Sequence, residues 1–261
     1  MKVNSYVRAK SLEEAYKLLQ ENPLNKILGG GLWLKKGNAQ INTLIDLVDL
    51  DLNKIEDDGD FVKVGALVTQ REFELSELVK ECCIGILNDA VSQIMGPAFR
   101  NGATIGGSVV GKYAFSDLLT ALLACNTTLV FYPSGEMSLE DYLANPNPSK
   151  EILTHIVIKK CHRLSYFKKV GMTALDYPII NVAVTRCVKH DNYKIVVGSR
   201  SGVAALAVDA MDAINNGEKD FAKVAELVGN MKFADSMAAK ADYRKHLAIT
   251  YVRRALEEVN K

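Results

Sequence analysis

The sequence lacks several features that would indicate a particular class of protein. No apolar run approaches the roughly 20 residues that a transmembrane helix needs, and the first residues lack the apolar core of a signal peptide. The formal net charge of the 261 residues is only +1, which gives no electrostatic footprint for nucleic acid. These absences predict a cytoplasmic protein that neither crosses a membrane nor binds nucleic acid.

Cysteine and histidine are few, and their spacing does not suit a metal. The five cysteines form no C-x-x-C pair, and the four histidines form no H-x-x-x-H pair. We therefore expect no structural zinc and no iron–sulfur cluster held by this chain alone. Cys82 and Cys83 are adjacent in sequence. Buried, unreactive thiols are the favoured interpretation of this pair, and redox activity is the alternative.

The order of predicted elements favours an α+β fold. Hydrophobic residues make up 48% of the chain, which is enough for a large core and for two domains. Capping boxes predict helix starts at Ser11 and Thr69, and further helices are predicted from Ser116 and over 242–259. The glycine-rich segment 96–111 predicts no helix. Strands are predicted over 2–7, 26–28, 61–65, 153–158, 179–184 and 193–198.

Two glycine-rich segments are the candidates for ligand binding. They are Gly29 to Gly31 and Gly102 to Ser108. Glycine lets backbone amides approach a ligand closely, which suits a phosphate or pyrophosphate. Neither segment fits the G-x-G-x-x-G or the G-x-x-x-x-G-K-[ST] pattern. From the residues alone, phosphate binding and tight turns that require glycine both remain open.

The same two segments resemble the flavin-binding loops of one family. Residues 27–34, I-L-G-G-G-L-W-L, are similar to a loop that typically reads A-G-G-T-D-L. Residues 100–108, R-N-G-A-T-I-G-G-S, are similar to R-N-x-A-T-I-G-G-N, and 116–118 matches the S-D-L that follows. The similarity continues through 166–184 and 241–256. The chain thus resembles the FAD-binding, or medium, subunits of the molybdenum hydroxylases, such as xanthine dehydrogenase and carbon monoxide dehydrogenase.

The resemblance implies a set of FAD-binding residues. The two loops would hold the pyrophosphate, Asp117 would accept hydrogen bonds from cofactor hydroxyls, Leu153 would contact the cofactor from a strand, and Lys168 would lie near the flavin. The alternatives are a charge at a helix start for Asp117, a core position for Leu153 and a solvated side chain for Lys168. No catalytic residue and no metal ligand is expected, because the cofactor supplies the redox chemistry. The implied binding residues are Ile27, Leu28, Gly29, Gly30, Gly31, Leu32, Trp33, Leu34, Thr104, Ile105, Gly106, Gly107, Ser108, Asp117, Leu153 and Lys168.

The resemblance also implies the architecture and the partners. A two-subdomain FAD-binding domain of the PCMH type would occupy residues 1–160, and a smaller α+β domain with an antiparallel sheet and helices would occupy 161–261. The implied assembly is a heterotrimer. A large subunit with molybdopterin oxidises the substrate, a small [2Fe–2S] subunit passes electrons to FAD, and NAD or another acceptor receives them.

Leu32 and Trp33 depart from the pattern of the family. They replace a threonine and an aspartate that offer polar groups to the cofactor, which leaves the strength of FAD binding open. An apolar pair here also suits a structural or assembly subunit that has lost tight FAD binding. A stand-alone flavin reductase that uses NADH without partners is the other alternative.

Overall fold

A three-stranded parallel sheet, in the order β1-β3-β2, forms the first part of the fold. The computed structural model describes residues 1–146 and 148–261. Ser11 starts α1 by accepting a hydrogen bond from the amide of Glu14 at 3.1 Å. Ala15 and Leu19 then pack α1 against β3, where Ile45 is fully buried. The elements are β1 (Lys2–Arg8), α1 (Leu12–Glu21), β2 (Lys26–Leu28), α2 (Leu32–Lys36) and β3 (Gln40–Asp46).

The second sheet is antiparallel and five-stranded, in the order β4-β5-β8-β6-β7. The longest helix of this segment, α8, has Leu118, Leu119 and Leu122 at 0% exposure. Each buried leucine contributes roughly 1.5–3 kcal/mol, so α8 is the centre of the largest core. The elements are β4 (Ile55–Asp58), β5 (Phe61–Gly65), α3 (Gln70–Leu75), α4 (Glu77–Glu81), α5 (Ile86–Ser92), α6 (Pro97–Arg100), α7 (Ile105–Val110), α8 (Asp117–Ala124), β6 (Thr127–Tyr132), β7 (Gly135–Ser138), α9 (Leu139–Ala144) and β8 (Ile152–Lys159).

The third sheet is antiparallel and four-stranded, in the order β12-β11-β10-β9. One face contributes Ala183 and Val196 to the core that contains α8. The other face contributes Val182 and Val197 to a second core, which the C-terminal helices complete. The third sheet therefore lies between α8 and these helices. The elements are β9 (Arg163–Val170), β10 (Ile180–Cys187), β11 (Asn192–Gly198), β12 (Ala205–Leu206), α10 (Val208–Asn215), α11 (Phe221–Leu227) and α12 (Ala241–Glu258).

The prediction of no helix over 96–111 is wrong. Two short helices, α6 and α7, form there. Pro97 occupies the first turn of α6, where its missing N–H costs nothing. Thr104 caps α7, and Gly106 in that helix packs directly against Ala66. One of the glycines that argued against a helix, Gly106, is thus explained by the close approach of the Ala66 backbone.

The α+β prediction is confirmed, with antiparallel sheets in the second and third parts of the fold. The capping box at Thr69 forms as predicted, since its side chain and that of Glu72 each bind the other's backbone amide. Among the residues that the structure describes, no helix is both long and apolar enough to cross a membrane.

Candidate cofactor-binding site

The first glycine loop lies at the carboxyl edge of the parallel sheet. β2 ends at Leu28, the glycines Gly29, Gly30 and Gly31 follow, and α2 begins at Leu32. Gly31 has a φ of +71°, a left-handed conformation that residues with a side chain rarely adopt. Glycine thus allows the chain to turn directly from the strand into the helix.

Thr104 joins the second loop to the first. Its Oγ1 accepts a hydrogen bond from the amide of Gly107 at 3.2 Å, which caps α7. The same Oγ1 accepts a hydrogen bond from the amide of Gly30 at 3.3 Å. One hydroxyl therefore holds the two glycine segments against each other.

The two loops approach so closely that a Cβ would collide with backbone atoms. An ideal Cβ on Gly30 would lie 1.6 Å from the carbonyl oxygen of Gly102. Gly106 of the second loop packs as closely against a different segment, since its Cβ would lie 2.6 Å from the carbonyl oxygen of Ala66, just after β5. Because these neighbours are backbone atoms, they cannot rotate away as a side chain does. Glycine at these positions is thus a requirement of the close approach.

The loops form one wall of a cavity of about 480 Å³. The rest of the lining is largely apolar and includes Leu47, Phe131 and Leu153. A cavity with a glycine backbone on one side and apolar side chains on the other suits a ligand with both phosphate groups and aromatic rings. The predicted site residues that line it are Ile27, Gly29, Gly30, Gly31, Leu32, Trp33, Leu34, Thr104, Gly106, Gly107, Ser108 and Leu153.

Four predicted site residues do not line this cavity. Ile105 is a fully buried core residue. Leu28 lies behind the loop, with its Cδ1 3.0 Å from the position of a Cβ on Gly31. Asp117 lines a smaller neighbouring cavity. Lys168 is exposed, and its Nζ lies 5.9 Å from the ring centroid of Tyr251.

Asp117 lies in a buried polar network at the start of α8. The carboxylate is 3% exposed and accepts a hydrogen bond from Asn181 Nδ2 at 2.7 Å. Its Oδ2 is 3.9 Å from Lys169 Nζ. Burial raises the pKa of Asp117 to about 6, and the Asn181 hydrogen bond and the Lys169 charge oppose this rise. The group can therefore gain or lose a proton near neutral pH.

The structure places Lys169, and not Lys168, beside Asp117. Successive residues of β9 face opposite sides of the sheet, so Lys169 faces the core together with Phe167 while Lys168 faces solvent. Lys169 Nζ donates a hydrogen bond to the carbonyl of Gln93 at 2.8 Å. The period of two in β9, with the apolar Phe167 as its reference, is the signal in the sequence that could have identified the inward lysine.

Gln70 is a second residue that the sequence analysis missed. Its side chain is 3% exposed, and Nε2 donates to Ser108 Oγ at 3.0 Å. Ser108 Oγ in turn donates to the carbonyl of Thr104 at 2.7 Å. Within residues 1–146 and 148–261, Gln70 Oε1 has no hydrogen-bond partner. A buried acceptor without a donor is costly, so a ligand that donates an N–H would satisfy it. The only hint in the sequence is the position of Gln70 directly after the cap of α3.

Aromatic side chains surround the smaller cavity, whose volume is about 40 Å³. The Trp33 ring centroid lies 5.0 Å from that of Tyr113 and 5.6 Å from that of Phe115. Phe99 and Tyr177 complete the cluster, at 6.0 and 6.1 Å from Trp33. These rings provide flat apolar surfaces next to Gln70 and Asp117, which suits a planar heteroaromatic ring.

Taken together, the residues fit FAD. The glycine cradle suits the pyrophosphate, the apolar wall suits the adenine end, and the aromatic cluster with Gln70 Oε1 suits the N–H-bearing edge of the flavin ring. Two glycine loops closed on one cavity in an α+β scaffold define a class of flavin-binding domain.

The comparisons with known proteins agree with this class. The family described as "FAD binding domain in molybdopterin dehydrogenase" matches residues 1–159. The chain therefore belongs to this family, its cofactor is FAD, and it is an oxidoreductase component.

Relatives and a solved structure extend the similarity over most of the chain. The glyceraldehyde dehydrogenase medium chain of Sulfolobus acidocaldarius is 28% identical over 225 residues, which cover 81% of this chain and 80% of that protein. The xanthine dehydrogenase FAD-binding subunit of Escherichia coli O157:H7 is 24% identical over 280 residues, which cover 97% and 95%. A chain of carbon monoxide dehydrogenase from Hydrogenophaga pseudoflava has the same fold, with a TM-score of 0.87 at 23% identity over 98% of this chain and 96% of that chain.

Proposed function

We propose that this chain is the FAD-binding electron-transfer subunit of a cytoplasmic heterotrimeric molybdenum hydroxylase. Its partners are a large subunit with molybdopterin and a small [2Fe–2S] subunit. FAD, when bound, supplies the redox chemistry that takes electrons from the [2Fe–2S] centres and delivers them to NAD or another acceptor. In the same proposal residues 1–160 form the FAD-binding domain, and 161–261 form the C-terminal domain.

The observation that carries the proposal is the closure of both glycine loops on one cavity through Thr104. In this arrangement the backbone amides of Gly29 and Gly31 would bind the pyrophosphate, while the Gly30 and Gly107 amides hold the two loops together through Thr104 Oγ1. Leu153 and its apolar neighbours exclude water from the adenine end. Each of these residues binds or positions the cofactor, and none of them transfers a proton or forms a covalent bond.

At the flavin end, Gln70 Oε1 would accept a hydrogen bond from an N–H of the ring, and Lys169 places a positive charge next to Asp117. Asp117 holds or releases a proton at its carboxylate, with a pKa of about 6. A cation near the ring favours added electron density on it. Lys169 thus takes the role that the sequence analysis assigned to Lys168.

One observation favours a second candidate function. The Trp33 cluster leaves only about 40 Å³ at the flavin end, so its rings must separate before a flavin ring enters. A subunit whose main role is assembly, with loosely held FAD, is consistent with this packing. The fraction of FAD that the purified complex retains distinguishes the two candidates.

The test uses Thr104→Val, which keeps the shape of the side chain but removes the hydroxyl that joins the loops. Thr69→Val is the matched control, because Thr69 also caps a helix, accepting from the Glu72 amide at 3.1 Å, but does not contact the first loop. Both variants lose a helix cap, which costs about 1 kcal/mol of stability. Only Thr104→Val is expected to weaken FAD binding, by roughly fivefold for one lost hydrogen bond.

The readouts are the FAD dissociation constant of each variant and the NADH formed by the complex reconstituted with its partner subunits. Equal FAD affinity in the two variants would contradict the role of Thr104. If the complex holds its full complement of FAD but forms no NADH, the proposed FAD-binding role stands and NAD is excluded as the acceptor.

A further inference from the structure

Three free thiols meet at the C-terminal end of α8, away from the FAD cavity. Cys83 Sγ lies 3.4 Å from Cys161 Sγ, although the two residues are 78 positions apart in sequence. Cys125, the residue that ends α8, is the third thiol, and it interacts with Cys83 strongly enough to raise the pKa of Cys83. Cys83 and Cys125 are buried, whereas Cys161 is partly exposed. A small oxidant therefore reaches the cluster at Cys161.

Two cations lie beside these thiols. Arg163 is 3% exposed and donates to Thr185 Oγ1 at 3.0 Å. Lys194 Nζ donates to the carbonyl of Cys125 at 3.2 Å. In the described part of the chain neither cation forms an ion pair with a carboxylate, and Glu140 acts on Lys194 only at longer range. These two charges favour a thiolate, but burial and the neighbouring thiols outweigh them.

The surroundings keep these thiols protonated until an oxidant reacts with them. The hydrogen bond with Cys83 and burial raise the pKa of Cys161, and the charges of Arg163 and Lys194 partly oppose this rise. The hydrogen bond with Cys125 is the main cause of the raised pKa of Cys83. A raised thiol pKa slows reaction with alkylating agents at neutral pH. It lowers the rate of oxidation but leaves the close contact of the two sulfur atoms unchanged.

The backbone at Cys83 is strained. Cys83 has φ 50° and the next residue, Ile84, has φ 49°. Two successive residues with side chains in the left-handed region are strained, and such strain persists only where the surrounding structure imposes it. The strained turn between α4 and α5 points the Cys83 thiol toward Cys161.

We propose that Cys83 and Cys161 form an oxidisable dithiol, which a peroxide converts to a disulfide. In the first step the Cys161 sulfur attacks one peroxide oxygen; the O–O bond breaks, and Cys161 sulfenic acid and one water form. In the second step the Cys83 sulfur attacks the sulfenic sulfur, the S–S bond forms, and the hydroxyl leaves as a second water. The two thiols lose two hydrogens and two electrons, and hydrogen peroxide is reduced to two waters.

The bond would connect two separate parts of the fold. Cys161 lies in the connection between β8 and β9, where the second sheet gives way to the third. Cys83 lies in the turn between α4 and α5. Oxidation would therefore fix the position of β9, the strand that carries Lys169, relative to the helices packed against α8. Formation of the disulfide does not depend on the bound cofactor.

The experiment treats the full chain with hydrogen peroxide under native conditions, removes the oxidant, and alkylates the remaining thiols after denaturation. Two of the five thiols are expected to resist alkylation and to become reactive again after dithiothreitol. Peptide mapping by tandem mass spectrometry should show Cys83 joined to Cys161. Cys161→Ser should abolish the protection, while Cys187→Ser, which changes a thiol outside the cluster, should retain it.

Cys82→Ser identifies which of the two adjacent thiols reacts, since it leaves Cys83 available. Three results would overturn the proposal: no thiol becomes protected, Cys161 is oxidised to a sulfinic acid without a cross-link, or Cys161→Ser still loses two thiols to a different pair. Because the wild-type map alone can give the first two results, the test does not depend on the folding of any variant.

Discussion

Gly30→Ala is the substitution for which the structure gives the clearest magnitude. The added Cβ would lie 1.6 Å from the carbonyl oxygen of Gly102, whereas ordinary contacts begin at 3.4 Å. The two loops must therefore move apart by about 1.8 Å. This movement breaks the 3.3 Å hydrogen bond between the Gly30 amide and Thr104 Oγ1. Overpacking costs about 1–3 kcal/mol, and the lost hydrogen bond adds about 1 kcal/mol.

The consequence for FAD follows from this cost. If the bound state needs both loops in place, this cost of about 2–4 kcal/mol raises the FAD dissociation constant by roughly 30-fold or more. The assay is a titration of FAD followed by flavin absorbance, together with urea unfolding of the protein without FAD. Gly37→Ala is the control, because the nearest atom to its Cβ is 3.8 Å away and its φ is −84°. Wild-type FAD affinity and stability in Gly30→Ala would refute the argument for close loops.

Four further predictions concern the flavin end and the core. Asp117 has a pKa of about 6 in the folded chain against an ordinary 3.8, so between these values the folded state binds more protons than the unfolded state. The free energy of unfolding should therefore fall by about 3 kcal/mol as pH rises from about 4 to about 6. Asp117→Asn should flatten this slope in urea midpoints measured against pH. Trp33 is the only tryptophan, so added FAD should quench the tryptophan emission; an unchanged spectrum would place the flavin ring elsewhere. Lys169→Met should weaken FAD binding about tenfold through loss of a charged contact, whereas Lys168→Met should leave the affinity at the wild-type value. Leu122→Ala should lower the free energy of unfolding, measured by urea denaturation, by about 3 kcal/mol. A loss below about 1 kcal/mol would contradict the central position of α8.

Local sequence signals correctly predicted the helices and strands whose formation depends on residues within the element itself. The capping box at Thr69 and the strand before Gly29 appear as expected. At Ser11 only the serine cap forms, because the Glu14 carboxylate accepts from the amide of Lys10 instead of Ser11. The signals failed at α7, where Gly106 is explained by a contact with Ala66, a residue distant in sequence. A propensity argument applied to one segment has no means of detecting such a contact.

The site residues divide in the same way into those that a sequence pattern identifies and those whose role depends on packing. The loop residues were identified through the family pattern, and the structure brings both loops to one cavity. Gln70 and Lys169 were missed because their roles depend on which side of an element faces the cavity. For Lys169, the alternation of residues in β9 shows which side of the strand faces the cavity. For Gln70, the facing side is known only once α3 is packed against Ser108.

The most direct test of the account is the visible absorption spectrum of the purified chain after incubation with FAD and desalting, repeated on the complex with its partner subunits. The absorption bands of oxidised flavin should remain after desalting, and Gly30→Ala should lose them while Gly37→Ala retains them. A chain that stays colourless both alone and in the complex would contradict the claim that the two glycine loops bind FAD.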